Sequence, residues 1–237
     1  MMPKKVTQKF RKRIERTKNK HSRAVYKDGT IIIRLAKGLN SIEERKHIEW
    51  LYRSMTQHLL EERRTKIVID PFASLLNGAE KCTINVASGK RYTFTLYPGY
   101  KTESERTDFG FRIYIGPRTK KQSLHRFLWK TLSEAEKPRI EQLVENINNN
   151  TLKVKYNKVR LSFASSQWGS CSPKGVIMLN SALLFVPPSS LKYVIIHELA
   201  HRKRCNHSPA FWNLVEIGMP TYKRAKKALQ TYRLPTL

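Results

Sequence analysis

Apolar and polar residues alternate along residues 23–38, on both sides of the pair Asp28-Gly29. A period of two is typical of a strand with one buried face, and an Asp-Gly pair supplies the positive φ of a tight hairpin turn. Residues 40–64 instead repeat apolar side chains every three or four positions, and Ser41 and Glu44 have the spacing of a capping box. The pattern therefore predicts a β-hairpin followed by an amphipathic helix.

Short β-like runs follow, separated by Gly, Pro and Ser turns, at residues 66–70, 82–86, 91–97 and 111–116. Residues 123–150 are predicted to be mostly helical around Pro138, and the three asparagines at 148–150 end this segment. The first half is therefore predicted to be a small sheet with a helix on it. We place a domain boundary at residue 150, so that 23–150 forms an N-terminal α+β region.

The second half begins with two further β-like runs, 152–156 and 159–163, which flank Asn157-Lys158 as a second predicted hairpin. A third run, 175–186, is stopped by Pro187-Pro188, after which Ser189 or Ser190 is predicted to cap a helix. The predicted fold class is α+β in two parts, with residues 151–237 as the C-terminal part.

Positive charge dominates the composition, because 46 Lys and Arg against 18 Asp and Glu give a formal net charge of +28. Such a surface attracts polyanions. The excess is concentrated at the start: residues 1–23 hold ten Lys or Arg and one acid, Glu15. We therefore predict a flexible basic arm at 1–22, which is either a solvated tail or a contact to DNA or RNA.

No run of about 18 apolar residues occurs, and the basic N-terminus lacks the apolar stretch of a secretory signal. The three cysteines, Cys82, Cys171 and Cys205, are odd in number and widely spaced, which fits a reducing compartment better than a disulfide framework. We expect a cytoplasmic protein that does not bind a membrane; the oligomeric state is left open.

Three of the seven histidines lie close together, in the stretch VIIHELAHRKRCNHSPAFW at 194–212. Because a helix turns about 100° per residue, His197 and His201 project from nearly the same face, one turn apart, where both imidazoles can bind one ion. An apolar stripe lies on roughly the opposite face, formed by Leu191, Ile195 and Leu199. The helix is therefore expected to bury this stripe while the histidines face a cleft.

Glu198 directly follows the first histidine and is rotated to one side of it. At that position a carboxylate can accept a proton from a metal-bound water without being a ligand, and HExxH in this geometry is the metalloprotease signature. The alternative is a set of surface or buried structural histidines. A purely structural zinc site would leave Glu198 without a role.

A catalytic zinc takes three protein ligands and leaves the fourth position open, so a third ligand is needed. His207 is the first candidate, because Ser208 and Pro209 have the pattern of an N-cap and first residue of a new helix, which would hold His207 at a rigid junction. Glu216 and Cys205 are rival ligands, although a thiolate is more typical of structural zinc. We expect one Zn²⁺ per chain.

Several further stretches carry a resemblance to a known family: Trp168 to Cys171, Leu179-Asn180, His197 to His201, Asn206 to Ser208 and Phe211-Trp212. In this order and spacing they resemble the YgjP-like metallopeptidases, which belong to the zincin superfamily and are related to the SprT-like proteins. The likeness is close across 168–222. Gln167 departs from it, since a basic residue usually precedes the tryptophan in that family. The histidine spacing also equals that of metzincins, but Arg204 stands where those enzymes have glycine.

The resemblance implies a zincin metallopeptidase core at 151–237, with an HExxH active-site helix. By resemblance, His197, His201 and His207 are the metal ligands and Glu198 is the general base of a zinc-dependent hydrolase that cleaves peptide bonds. Zinc would polarise the scissile carbonyl and lower the pKa of its water toward about 7. The run 175–185 is a candidate edge strand for pairing with an extended peptide or protein substrate.

Two alternatives stay open from the residues. The protein is either a peptidase, or a nucleic-acid-associated protein that uses the zincin fold mainly as a scaffold or cleaves nucleic-acid-bound proteins. Cys171 as a thiol nucleophile is disfavoured, because no base lies near it in the sequence. Tyr193 and Tyr222 are both able to polarise a carbonyl, and no spacing rule selects either of them.

Overall fold

The computed structural model describes residues 10–27 and 29–235, with no side-chain description for 62–65. The chain divides into two compact units, Met1–Lys66 and Ile67–Leu237. Strands and helices are mixed in both units, and the described residues contain six α-helices. The predicted mixture of small sheets and helices is therefore confirmed.

The first unit is a three-stranded sheet with one helix. Its elements are β1 (Arg11–Arg16), β2 (Arg23–Lys27), β3 (Thr30–Leu35) and α1 (Ser41–Thr65). The sheet order is β1-β3-β2, with β2 antiparallel and β1 parallel to β3. The predicted hairpin is thus confirmed, although Asp28 lies outside the described residues. A small core joins sheet and helix and consists of Phe10, Ile31, Ile33, Leu35, Leu51 and Leu59.

The capping box of α1 lies one residue before its predicted place. Asn40 is the N-cap, and its side chain accepts hydrogen bonds from the backbone N–H groups of Ile42 and Glu43. The Glu43 carboxylate accepts from the Asn40 N–H at 2.9 Å. Glu44 instead receives a two-point hydrogen bond from Arg16 of β1. The prediction of Ser41 and Glu44 was wrong because asparagine caps a helix as well as serine does.

Part of the predicted arm is ordered. Residues 11–16 form β1 along the whole length of β3, although most of their side chains are exposed. The cations themselves help to fix this strand: Lys12 lies over the ring of Tyr52 and Arg16 pairs with Glu44. The prediction of a flexible arm over 1–22 was therefore wrong for this segment; residues 1–9 lie outside the described residues.

The second unit contains three sheets and five α-helices among its described residues. Its elements are β4 (Ile67–Val68), α2 (Ala73–Leu76), β5 (Lys81–Asn85), β6 (Arg91–Pro98), β7 (Glu103–Thr107), β8 (Gly110–Ile115), α3 (Lys121–Asn150), β9 (Lys158–Ser162), β10 (Gly169–Cys171), β11 (Val176–Asn180), a 3₁₀ helix (Ser181–Phe185), α4 (Pro188–Ala200), α5 (Pro209–Gly218), α6 (Tyr222–Leu229) and β12 (Tyr232–Arg233). The short β4 and β12 pair in parallel with each other.

The four-stranded sheet has the order β5-β6-β8-β7. The hydrophobic pattern predicted three of these strands and missed β7, the segment ESERT, because four of its five side chains are exposed and none is apolar. An edge strand of this kind forms through its backbone pairing with β8, not through burial of its own side chains. An alternation of apolar and polar residues therefore gives no signal for β7.

The three-stranded sheet beside the candidate site has the order β10-β11-β9. The predicted hairpin around Asn157 was wrong: β9 pairs in parallel with β11, and residues 152–156 form no strand. Asn148 explains this, because its side-chain amide donates to the Val154 carbonyl and accepts from the Val154 N–H, so this backbone is already partnered. The central place of β11 also means that 175–185 does not supply the predicted edge strand.

The predicted domain boundary at residue 150 does not coincide with the division at 66/67. Helix α3 is continuous through Pro138 and buries Leu128, Trp129 and Leu132 completely. These side chains belong to the same hydrophobic cluster as Ile195 of α4 and Phe211 of α5. Because one core spans both sides of residue 150, the chain has no separate domain there. No helix among the described residues is long and apolar enough to cross a membrane.

The corrected capping box gives a first test. Asn40→Ala removes the acceptor of two N–H groups and is expected to cost about 1 kcal/mol, which speeds amide exchange in the first turn of α1 about fivefold. Ser41→Ala is the matched control and should leave exchange unchanged. Amide-resolved hydrogen exchange by NMR measures both, and faster exchange in Ser41→Ala alone would restore the box at Ser41 and Glu44.

Candidate metal centre

Helix α4 carries the first two histidines and begins without a side-chain cap. Pro187 is the N-cap and Pro188 the first helical residue, where the missing N–H of proline costs nothing. The prediction of Ser189 or Ser190 as the cap was wrong: Ser190 is buried and its hydroxyl donates to the Ala225 carbonyl of α6. The proline pair thus starts the helix, and the serine fixes it to α6.

Most side chains of α4 are buried. The apolar stripe expected from the sequence is buried, and so are side chains on its flanks; the buried apolar residues are Leu191, Tyr193, Val194, Ile195, Ile196, Leu199 and Ala200. The two histidines are only half-buried. In the C-terminal half of the helix, from Tyr193 to Ala200, every residue except His197 is buried, so His197 is the accessible side chain there.

The rings of His197 and His201 lie one turn apart, with centroids 4.9 Å from each other. The helix ends at Ala200, and His201 is its C-cap in right-handed helical conformation. The Nδ1 of His201 lies 3.1 Å from the Arg204 carbonyl oxygen, so that Nδ1 carries the proton and donates. This tautomer leaves the Nε2 lone pair of His201 free for a metal ion.

His207 reaches the same point from the loop before α5. Ser208 and Pro209 are the N-cap and first residue of α5, as predicted. The Nε2 atoms of His207 and His197 are 3.1 Å apart, and one nitrogen from each of the three histidines lies within 4.8 Å of the others. The structure therefore brings together all three predicted ligands. Neither rival, Cys205 nor Glu216, belongs to this group.

This arrangement fits a zinc ion. Two nitrogens that are each about 2.0–2.1 Å from a tetrahedral zinc lie roughly 3.3 Å apart, close to the separation of the His197 and His207 nitrogens. Three imidazoles with one open position are a common donor set for catalytic zinc. The donor set and the separation of the His197 and His207 nitrogens therefore fit a three-histidine zinc site.

Phe211 forms the floor under the three imidazoles. It is fully buried, and its ring centroid lies 4.9, 4.6 and 4.8 Å from those of His197, His201 and His207. The next residue, Trp212, is half-buried and stacks on His207 with centroids 5.8 Å apart. Phe211 therefore belongs to the core, whereas Trp212 forms a wall of the site.

Burial also sets the charge state of the imidazoles. Burial is the main reason that the pKa of His197 is lowered to about 3. The charges of His201, His207 and Lys226 lower it further. Burial likewise lowers the pKa of His201. Both rings are therefore neutral at neutral pH, which is the form that binds a metal ion.

Glu198 is buried beside β10, with 5% of its surface exposed. Burial raises the pKa of its carboxyl group to about 8. The carboxyl lies directly over Gly169: a Cβ atom at that position would be 2.7 Å from Glu198 Oε1 and 3.0 Å from Cδ. Only glycine leaves the space that this carboxyl group occupies.

Gly169 lies within β10. A glycine inside a strand often marks the close approach of another group, so the signal was present in Trp-Gly-Ser-Cys. Arg202 was missed, because nothing marks it among the neighbouring basic residues. Its guanidinium donates to the carbonyls of Lys155, Ser172 and Pro173 and so joins the end of α4 to the turn after β10.

Comparison with known proteins identifies the family of the chain. The family model for the YgjP-like metallopeptidase domain matches residues 19–232 of this chain. This range includes every residue of the candidate metal centre. Among solved structures, the metallopeptidase zymogen of Pyrococcus abyssi abylysin is similar, with 28% identity and a TM-score of 0.37, over 40% of this chain and 99% of that one. No curated protein matches the chain.

We expect the purified protein to bind one zinc ion per chain. Replacing any of His197, His201 or His207 with alanine removes one of three ligands and should weaken zinc binding by more than about 100-fold, since losing even an outer partner costs 10–100-fold. Elemental analysis and competition with a chromophoric chelator measure this. Cys205→Ser and Glu216→Gln are the controls, and a loss of zinc in either would mean that the ligand set is different.

Proposed function

This chain belongs to the YgjP-like metallopeptidase family, and we propose that it is a zinc-dependent peptidase of zincin architecture whose active site is the candidate metal centre. The observation that carries the proposal is the convergence of three imidazole nitrogens within 4.8 Å, together with the buried carboxyl group of Glu198, which follows His197 in α4. Three metal ligands without a nearby acid would be expected of a structural metal site. A buried acid in addition suits a reaction that moves a proton.

His197, His201 and His207 would hold the zinc ion. When bound, the ion supplies Lewis acidity to a peptide carbonyl and makes a water more acidic. The side chains that hold it are fixed by packing: His201 by its hydrogen bond to the Arg204 carbonyl, and all three rings by Phe211. A donor set whose rings are held in place by packing requires little reorganisation on binding.

Glu198 is proposed as the general base. Its apolar surroundings raise the pKa toward the working pH, where a carboxyl group both accepts and returns a proton efficiently. A cation held by the neighbouring histidines favours its ionised form. The carboxyl group then takes the proton of the attacking water and passes one to the leaving amine.

The strand that receives an extended substrate is proposed to be β10 and not β11. β10 is an edge of its sheet, whereas β11 pairs on both sides. Gly169 of β10 touches Glu198, so a peptide paired with this edge runs next to the base. Backbone pairing of this kind recognises the extended form of a chain and not its side chains.

The decisive variant for this mechanism is Glu198→Gln. It keeps the size of the side chain and all three ligands, so zinc content should stay at one per chain, while kcat for peptide hydrolysis should fall by about 100-fold or more. Elemental analysis measures the zinc content, and cleavage of a quenched fluorogenic peptide measures kcat. Retained hydrolysis with full zinc content would remove Glu198 from the mechanism.

A second candidate function is binding of nucleic acid, which the sheet of the first unit favours. Residues paired across neighbouring strands share a face, and the face away from α1, here called the outer sheet face, carries Arg11, Arg13, Arg23, Lys27 and Arg34. Among the described residues of its three strands, Glu15 is the one acid on this face, and it pairs with Arg13 and Arg34. A flat surface with this excess of cations suits contacts to phosphates without base recognition.

The outer sheet face predicts a salt-dependent affinity for DNA or RNA. Arg11→Gln combined with Arg23→Gln should reduce the slope of log Kd against log salt by roughly 0.7–0.9 for each phosphate that the variant no longer neutralises. Fluorescence anisotropy with a short duplex and a single strand measures the slopes. The double variant Arg45→Gln, Lys46→Gln on the exposed surface of α1 is the control. Equal slopes in all three proteins would reject this face as the binding surface.

A further inference from the structure

An open cavity of about 490 Å³ lies beside the metal centre, between α5 and α6. Two aromatic side chains and three lysines dominate its lining, which consists of Trp212, Tyr222, Lys223, Lys226, Lys227 and Gln230. None of these residues has a part in binding the metal or in moving the proton. The cavity is therefore a feature that the hydrolysis mechanism leaves unexplained.

Trp212 links this cavity to the histidines. One neighbour of its ring is His207, stacked with centroids 5.8 Å apart, and another is Tyr222, stacked at 5.6 Å. The centroid of His197 is also 5.8 Å from that of Trp212. A ligand in the cavity therefore lies one side chain away from the metal ligands, which is the spacing of a substrate residue next to a scissile bond.

The lysines belong to one face of α6. Tyr222, Ala225 and Leu229 are buried on the other face, so Lys223, Lys226 and Lys227 are turned toward solvent and the cavity. Lys226 extends over the Trp212 ring, with Nζ 4.4 Å from the ring centroid. Its position is thus fixed by a cation–π contact at the wall of the site.

Negative charge to match these lysines is scarce nearby. Lys223 Nζ lies 3.9 Å from Glu216 Oε1, and both side chains are exposed. Among the side chains that the structure describes, those of 10–27, 29–61 and 66–235, no carboxylate forms an ion pair with Lys226 or Lys227. An acidic group from outside the chain would find two cations free to bind it above an aromatic surface.

We propose that this cavity is a substrate subsite that selects a carboxylate close to the scissile bond, as a Glu or Asp side chain or as the C-terminus of a peptide. The proposal rests on the peptidase function proposed above and adds a substrate class to it: acidic peptides. The aliphatic part of the residue packs on Trp212, and its carboxylate pairs with Lys226 and Lys227. Because the subsite is open to water, its discrimination is moderate, about tenfold, and falls with added salt.

The test compares matched fluorogenic peptides in which one residue near the cleavage site is Glu, Gln or Lys, each with a free or an amidated C-terminus. The wild-type protein should cleave the Glu peptide with a kcat/KM about tenfold above that of the Gln peptide. In Lys226→Gln the Glu-to-Gln ratio should fall toward one, and in Lys226→Glu the Lys peptide should become the best substrate. Lys137→Gln, an exposed lysine of α3, is the control and should keep the wild-type ratio.

The free and amidated peptides separate the two sources of the carboxylate. A Lys226-dependent preference for the free C-terminus alone assigns the subsite to a terminal carboxylate, and a preference for Glu in both forms assigns it to a side chain; either result supports the proposal. Equal kcat/KM for the Glu, Gln and free or amidated forms would overturn it. So would a Glu preference that Lys226→Glu leaves unchanged.

A binding measurement keeps the subsite separate from catalysis. Glu198→Gln loaded with zinc should bind the labelled acidic peptide about tenfold more tightly than its Gln form, and the added change Lys226→Glu should abolish the difference. If no peptide is cleaved but this difference is present, the hydrolysis mechanism fails and the subsite stands. If Lys226 variants change the affinity for a single-stranded oligonucleotide and leave peptide selectivity unaltered, the cavity binds phosphates and the proposal fails.

Discussion

The burial of helix α4 determines the chemistry of the site. Nine of the thirteen residues of this helix are buried, and burial raises the pKa of Glu198 and lowers that of His197. A carboxyl group and two imidazoles are thereby all kept toward their neutral forms when no cation is present. Burial disfavours the ionised form of the carboxyl group, and the charge of a bound metal ion offsets this by stabilising the carboxylate. The helix is therefore prepared for a bound cation.

Packing on this helix brings the other parts of the site together. Phe211 of α5 lies under all three imidazoles, so the start of α5 holds His207 against the end of α4. On the other side, Gly169 lets β10 approach Glu198 closely. Arg202, which follows α4, donates to the carbonyls of Ser172 and Pro173 in the turn after β10 and to the carbonyl of Lys155. One wall of the site is thus aromatic and the other is a strand edge, which is what an extended substrate requires.

The cations of the chain are arranged on specific surfaces. In the first unit, the outer sheet face groups five basic side chains around Glu15. In the second unit, Lys226 and Lys227 of α6 line the cavity beside Trp212. The two surfaces suit different anions: a flat face meets a row of phosphates, whereas a concave aromatic subsite accepts a single carboxylate. The net charge of +28 is therefore compatible with selective peptide recognition as well as with binding of polyanions.

The sequence by itself determined the features that depend on neighbours along the chain: the first hairpin, α1, the one-turn spacing of His197 and His201, and the start of α5 at Ser208 and Pro209. Periodicity and capping are local, so these could be predicted. Tertiary structure decided which strand forms the sheet edge and that the Asn148 side chain hydrogen-bonds the backbone of Val154. It also decided that Gly169 makes room for Glu198 and that Lys226 lies over Trp212. These depend on contacts that residues make outside their own helix or strand, for which the periodicity of a single sequence carries no signal.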